Sequence, residues 1–214
     1  MVSKLKPQLA PGPAETECKD NDDLTLTAAL YNDAIHFYEL AREADGRNEC
    51  YTCDRFKRSA IHAAFSFFEA QLNQVAFAYA ETHGDALGQI ERDVLEEMET
   101  VIDDRGNVIR KQKFYRTESR FCFLVLFLSG SDFDRSGELW NRFRTARKLR
   151  DSWVHPKPPF DTWSLTLSDV YDTVIIAREM FMKLALMMNA DPPLWMRHID
   201  EILSDTESET TDNA

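Results

Sequence analysis

The chain has 214 residues, 43% of them hydrophobic, with only 7 glycines, 8 prolines and a formal net charge of −12. That length fits one domain with a real core, and the scarcity of glycine and proline favours long helices over a turn-rich sheet. The charge excludes broad, sequence-blind nucleic-acid binding, which runs on phosphate neutralisation, but leaves room for a small basic cleft.

Residues 1–23 are acidic on balance and punctuated by Pro7, Pro11 and Pro13, so a disordered segment is expected there. No apolar run follows Lys4 and Lys6, so no signal peptide is expected. A first helix is predicted from Asp22 to about Ala44, with Leu30, Ala34, Phe37 and Ala41 at helical spacing, stopped by the turn Asp45-Gly46-Arg47-Asn48. A long second helix follows from Thr52 to His83, ended by Gly84. Ile61, Phe65, Phe68, Leu72, Val75 and Tyr79 form its apolar stripe. Beside that stripe His62, Ser66, Glu69 and Asn73 make a polar seam, which is either a solvated flank or the wall of a site.

A third, acidic helix is expected from Ala86 to about Val101, then a turn at Asp103-Asp104-Arg105-Gly106-Asn107. Val108 to Tyr115 is ambiguous and allows a short hairpin around that turn. Glu118 to Leu128 is apolar nearly throughout and is read as a buried helix, although periodicity alone does not separate it from a strand. Its apolar core is far shorter than the roughly 20 residues that span a bilayer, so a soluble, cytoplasmic protein without a membrane partner is expected. The next helix is predicted from Phe133 to about Trp153, where Pro156, Pro158 and Pro159 forbid continuation. Thr166-Leu-Ser-Asp169 has the pattern of a capping box and opens a helix to about Asn189, with Val174, Ala177, Phe181, Leu184 and Met188 facing inward. A short final helix is placed between Pro192 or Pro193 and Leu203, before a disordered acidic tail at 204–214. The expected fold class is all-α: a single domain over residues 24–203, built as an antiparallel bundle of four main helices with additional short helices.

The stretch Arg150-Asp151-Ser152-Trp153-Val154-His155-Pro156 carries the chemistry. A guanidinium that grips phosphate and an imidazole that titrates near neutrality are the two groups metal-free RNA cleavage needs. The stretch follows a basic helical run, Arg142 to Leu149. Bare spacing is weak evidence, since Arg55 and His62 also match the same loose pattern. Asp151 follows Arg150 directly, whereas Phe56 follows Arg55, and Arg150 lies late in a late helix while Arg55 opens the long early one.

On these residues the chain resembles the HEPN superfamily of small helical proteins, whose motif is Arg-x4–6-His with a polar residue after the arginine. The resemblance covers roughly residues 55–185 and is strongest at 59–73 and 144–156. It implies a metal-independent endoribonuclease of toxin–antitoxin or antiphage defence type, acting as a homodimer whose two motifs share one composite cleft. His155 would take the proton of a ribose 2′-hydroxyl, and the oxyanion would attack the adjacent phosphorus. Arg150 would hold the non-bridging oxygens, and a second, protonated histidine would serve the leaving 5′-oxygen. The products would be a 2′,3′-cyclic phosphate and a 5′-hydroxyl. Asp151 would orient Arg150 or His155, Arg144 and Arg147 would track the RNA backbone, and Glu69 and Asn73 would face the motif from the early helix.

The resemblance equally covers a non-catalytic binding or regulatory module, with an antitoxin or regulatory protein as partner. In that case Arg150 pairs with Glu69 or caps its helix, where cations are favoured. Positions five apart on a regular helix differ by about 140° around the axis. Arg150 and His155 therefore share a site only if the helix loosens before Pro156 or if two copies meet. Trp153 is either core or a base-stacking surface. Cys50 and Cys53 have zinc-ligand spacing but no second close pair, so no metal or cofactor is expected, and four scattered cysteines do not suggest a disulfide framework.

Overall fold

The computed structural model describes residues 25–154, 165–191 and 195–196. The expected disordered ends, the proline stop at 156–159 and most of the expected last helix lie outside the described residues.

The chain is mostly helical, with one small hairpin. Helix α1 spans Leu26–Gly46 and starts later than the apolar spacing suggested. Thr25 is extended, and its hydroxyl accepts the Ala28 N–H at 3.3 Å, which sets the first turn. Asn48, at φ 55°, turns the chain into α2, Cys50–His83.

The expected helix from Ala86 to Val101 is a correction. A short 3-10 turn at Gly84–Ala86 leads to α3, only Gln89–Leu95, and then to strand β1, Met98–Ile102. The break comes at Glu97, which adopts φ 52° just past the helix end. Beyond it Thr100, Val101 and Ile102 are β-branched and favour a strand over a helix. β1 pairs antiparallel with β2, Val108–Gln112, with Ile102 opposite Val108 and Met98 opposite Gln112. Asp103 holds the turn by accepting the backbone N–H groups of Arg105 and Asn107 at 2.9 and 2.8 Å, and Gly106 takes φ 82°. The hairpin left open by the sequence is therefore present.

Helix α4 spans Thr117–Ser129 and resolves the strand-or-helix ambiguity there, ending at Gly130 in the left-handed region. Helix α5 runs Glu138–Val154, not from Phe133. Asp134 folds the intervening residues into a turn, accepting the Ser136 N–H at 2.9 Å and its hydroxyl at 2.6 Å. Phe133 itself is buried against Phe121 and Trp140, which explains why it reads as part of the apolar pattern.

Helix α6 is Leu167–Met187. The capping box is formed: the Thr166 hydroxyl accepts the Asp169 N–H at 3.1 Å, and the Asp169 carboxylate accepts the Thr166 N–H at 3.0 Å. Replacing Thr166 by alanine is expected to remove about 1 kcal/mol of stability. That corresponds to a Tm drop of about 2–4 °C for a chain of this size. An unchanged Tm in scanning calorimetry would refute a stabilising role for the box.

α2 is the central element, packing on α1, α5 and α6 with α4 alongside. Its three buried rings serve different neighbours. Phe67 meets Tyr31 of α1 at 4.9 Å and Phe181 of α6 at 6.3 Å. Phe65 and Phe68 meet Phe143 of α5 at 5.9 and 5.1 Å, and Phe68 also meets Phe121 of α4. Burying each ring contributes about 1.5–3 kcal/mol. Rings on several sides explain why this helix is apolar over more than one stripe. They also clamp α5 beside α2 where Arg150 emerges.

Candidate functional site

Arg150 sits one turn before the end of α5 and reaches α2. Its Nη1 donates to Glu69 Oε1 at 3.0 Å. Its Nε and Nη2 both donate to Asp151 Oδ1, at 3.1 and 3.0 Å. The guanidinium lies over the Phe65 ring, 4.9 Å from its centroid. The side chain is 23% exposed, so it is packed along its length with its head at the surface.

The network extends on both sides. Glu69 Oε1 also accepts the Thr117 hydroxyl at 2.9 Å, which ties in the start of α4. Asp151 Oδ2 lies 3.4 Å from Arg147 Nε, and Arg147 pairs in turn with Glu118. Three helices are thus stitched by two guanidiniums and three carboxylates. The group as a whole carries one negative charge, which disfavours an anion unless a carboxylate is displaced or neutralised.

An arginine offers five N–H donors. Three of those of Arg150 are engaged, so two remain without a protein partner among the described residues. The carboxylates therefore fix the plane of the guanidinium without exhausting it.

The other expected site residues fall in several places. Glu69 faces the motif as expected. Asn73 does not: its side-chain oxygen accepts from Arg120, on the far side of Glu69 along α2. Arg147 is committed to Glu118 and Asp151, whereas Arg144 is exposed and forms no ion pair among the described residues. His155 lies outside the described residues. Trp153 packs against the core, with the Arg58 guanidinium 5.7 Å above its ring and its own Nε1 buried without a partner among the described residues. That face of the indole is occupied by an arginine and is not open to a base.

The polar seam of α2 separates into two clefts. Glu69 and Asn73 line one of 330 Å³ with Glu97, Tyr115, Thr117 and Arg120. Arg120 was missed by sequence reasoning. It is 5% exposed and bonds Asn73, the Leu95 carbonyl at 3.0 Å and Glu97 at 3.2 Å. Burial pushes its guanidinium down from its ordinary value, against the Glu97 and Glu69 charges that push it up. The only sequence signal was an arginine beside an otherwise apolar run. His62 and Ser66, the other half of the seam, line a groove between α1 and α2 with Arg55 and Arg58.

Cys50 is exposed and Cys53 is buried, with its thiol 3.8 Å from Asp45 Oδ1. Among the described residues no group of three or more His, Cys, Asp or Glu side chains is arranged to hold a metal ion. No helix among them is long and apolar enough to cross a membrane. No family model matches the chain, and neither a curated protein nor a solved structure matches it.

Proposed function

We propose that the protein is a HEPN-like helical bundle, with α1, α2, α5 and α6 as its four main antiparallel helices, and that it is a metal-independent endoribonuclease. The observation that carries this reading is the state of Arg150. Glu69 and Asp151 orient its guanidinium at the surface end of α5, and two N–H groups are left for phosphate oxygens. His155 is the general base for the 2′-hydroxyl, a step worth about 10²–10⁴-fold in such reactions. As the 2′-oxygen bonds to phosphorus, the bond to the 5′-oxygen breaks and that oxygen takes a proton from a second histidine. Arg150 stabilises the charge that gathers on the non-bridging oxygens.

Helix α5 stays helical through Val154, which favours the two-copy arrangement over loosening of the helix. The protein accordingly acts as a cytoplasmic homodimer in a toxin–antitoxin or antiphage setting, where a cognate antitoxin would restrain it. The surplus negative charge around Arg150 favours a second reading, a non-catalytic binding or regulatory module in which the network only joins helices.

The test is direct. Wild type and His155→Ala are incubated with labelled RNAs in EDTA and the ends are identified. Wild type is expected to leave 2′,3′-cyclic phosphates and 5′-hydroxyls, and His155→Ala to lose this. No cleavage by wild type across several RNAs, or equal cleavage by both proteins, sinks the catalytic reading. Light scattering on the same preparations reads the dimer, and a monomer at micromolar concentration removes the composite cleft.

A further inference from the structure

We propose that the groove between α1 and α2 binds the backbone of a single-stranded RNA, with Arg55, Arg58 and His62 as its phosphate contacts. The inference rests on the reading of the chain as an RNA-acting protein, and it places the grip on the strand away from Arg150.

The helix geometry comes first. Residues 55, 58, 62 and 66 follow one another at steps of three, four and four, so they share one face of α2. They line a groove of 500 Å³ whose other wall comes from α1. The Arg55–His62 spacing that looked like a chance match thus has a structural consequence, because positions seven apart fall on the same side of a helix.

The chain holds 37 acidic residues against 25 lysines and arginines. In such a chain arginines are readily neutralised, and Arg47, Arg110, Arg120, Arg142, Arg147 and Arg150 all meet carboxylates. Arg55 and Arg58, like Arg144, are exposed and form no ion pair among the described residues, and they are the two that line one groove together, with Asp33 as its carboxylate. Two guanidiniums against one carboxylate leave the groove positive, while the network around Arg150 is negative. A phosphate is therefore drawn to Arg55 and Arg58 before Arg150.

Arg58 lies over Trp153, which restrains one face of its guanidinium and leaves the N–H edge for a ligand. Phe37 and Leu30 give the groove an apolar part, and Ser66 contributes a hydroxyl. Cations tracking a backbone beside an aromatic surface for a base are the features that hold single strands. The groove and the Arg150 network are separate, but they are near each other along α2 and α5. Ser66 precedes Glu69 by three residues, about 4.5 Å along the helix, and Trp153 follows Arg150 in the same stretch. A strand held here is delivered toward Arg150.

Two guanidiniums engage only a few phosphates, so binding is moderate and salt-sensitive. The test uses the full chain in EDTA and a labelled 2′-O-methyl oligoribonucleotide, which binds but cannot be cut. Arg55→Glu, and separately Arg55→Ala with Arg58→Ala, are expected to weaken binding at least about tenfold. The double variant should also flatten the dependence of log affinity on log salt by about 1.4, from about 0.7 per lost single-strand contact. Arg58→Lys, which keeps the charge, should retain most of the affinity. Arg135→Ala, on the loop between α4 and α5, should match wild type. Arg55 is exposed and forms no ion pair among the described residues, so its substitution does not threaten the fold, and circular dichroism checks this for Arg58. Wild-type affinity in both groove variants overturns the inference even where wild type cuts RNA. So does a wild type that binds polyglutamate but not RNA. Conversely, a groove that binds RNA in a protein that never cuts it upholds the inference and defeats the catalytic reading.

Discussion

Arg150→Lys is expected to slow RNA cleavage by about 10²–10³-fold, the usual loss when one preorganised donor to a developing oxyanion is removed. The substitution keeps a positive charge beside Glu69 and Asp151. What it removes is the fork. In wild type, Nε and Nη2 are held on one oxygen of Asp151 and Nη1 on Glu69, so the guanidinium plane is fixed before any substrate arrives. An ammonium has three donors on one flexible stem and cannot satisfy both carboxylates while also presenting a planar pair to a phosphate.

The same substitution separates the two functional readings because its effect on folding is small. Arg150 is 23% exposed and Glu69 43%, so their pairing is screened by water and contributes about 0.2–1 kcal/mol. If the network only joins helices, Arg150→Lys changes stability within that range and no RNA-dependent property moves. If Arg150 holds the reacting phosphate, cleavage falls by orders of magnitude in a protein that melts almost normally. Single-turnover cleavage and a thermal melt on the same sample decide it. Cleavage within threefold of wild type would exclude Arg150 from the reacting centre.

The helical part of this architecture was legible because each signal was local. The 3–4 spacing of Phe65, Phe68 and Leu72, the Thr166–Asp169 box and the Gly130 stop each act within a few residues. The third helix was misread because Gln89–Leu95 and Met98–Ile102 form one acidic, moderately apolar run. The backbone reversal at Glu97 that divides them has no glycine to announce it. At the candidate site, the contact between Glu69 and Arg150 was anticipated from the polar seam. The partition of that seam was not. Whether His62 and Asn73 share a site with Glu69 depends on which neighbours cover α2, and those neighbours come from α1 and α4, far away in the chain. The charge of the Arg150 network was partly hidden, since Glu118 joins it only once the fold brings the start of α4 to Arg147.

Arg120→Ala is expected to be the most damaging single change in the region between α2 and the hairpin, at about 3 kcal/mol. The guanidinium satisfies the Leu95 carbonyl, Asn73 and Glu97 from a position that is 5% exposed. Removing one partner of a buried ion pair costs about 3–5 kcal/mol, because the other charge is left without compensation. Glu97 is itself 19% exposed, so water relieves part of that burden and the lower end applies. The carbonyl of Leu95, at the end of α3, also loses its donor, a further loss of the kind that makes unsatisfied buried groups costly. Arg120→Met combined with Glu97→Leu tests the origin of the effect. It removes both charges while filling the space, so it should recover much of the stability lost in Arg120→Ala. Urea unfolding of the three proteins gives the comparison. A loss below about 1 kcal/mol in Arg120→Ala would contradict an uncompensated buried charge, and a double variant no more stable than the single one would assign the loss to the hydrogen bonds with the Leu95 carbonyl and Asn73 and not to an orphaned carboxylate.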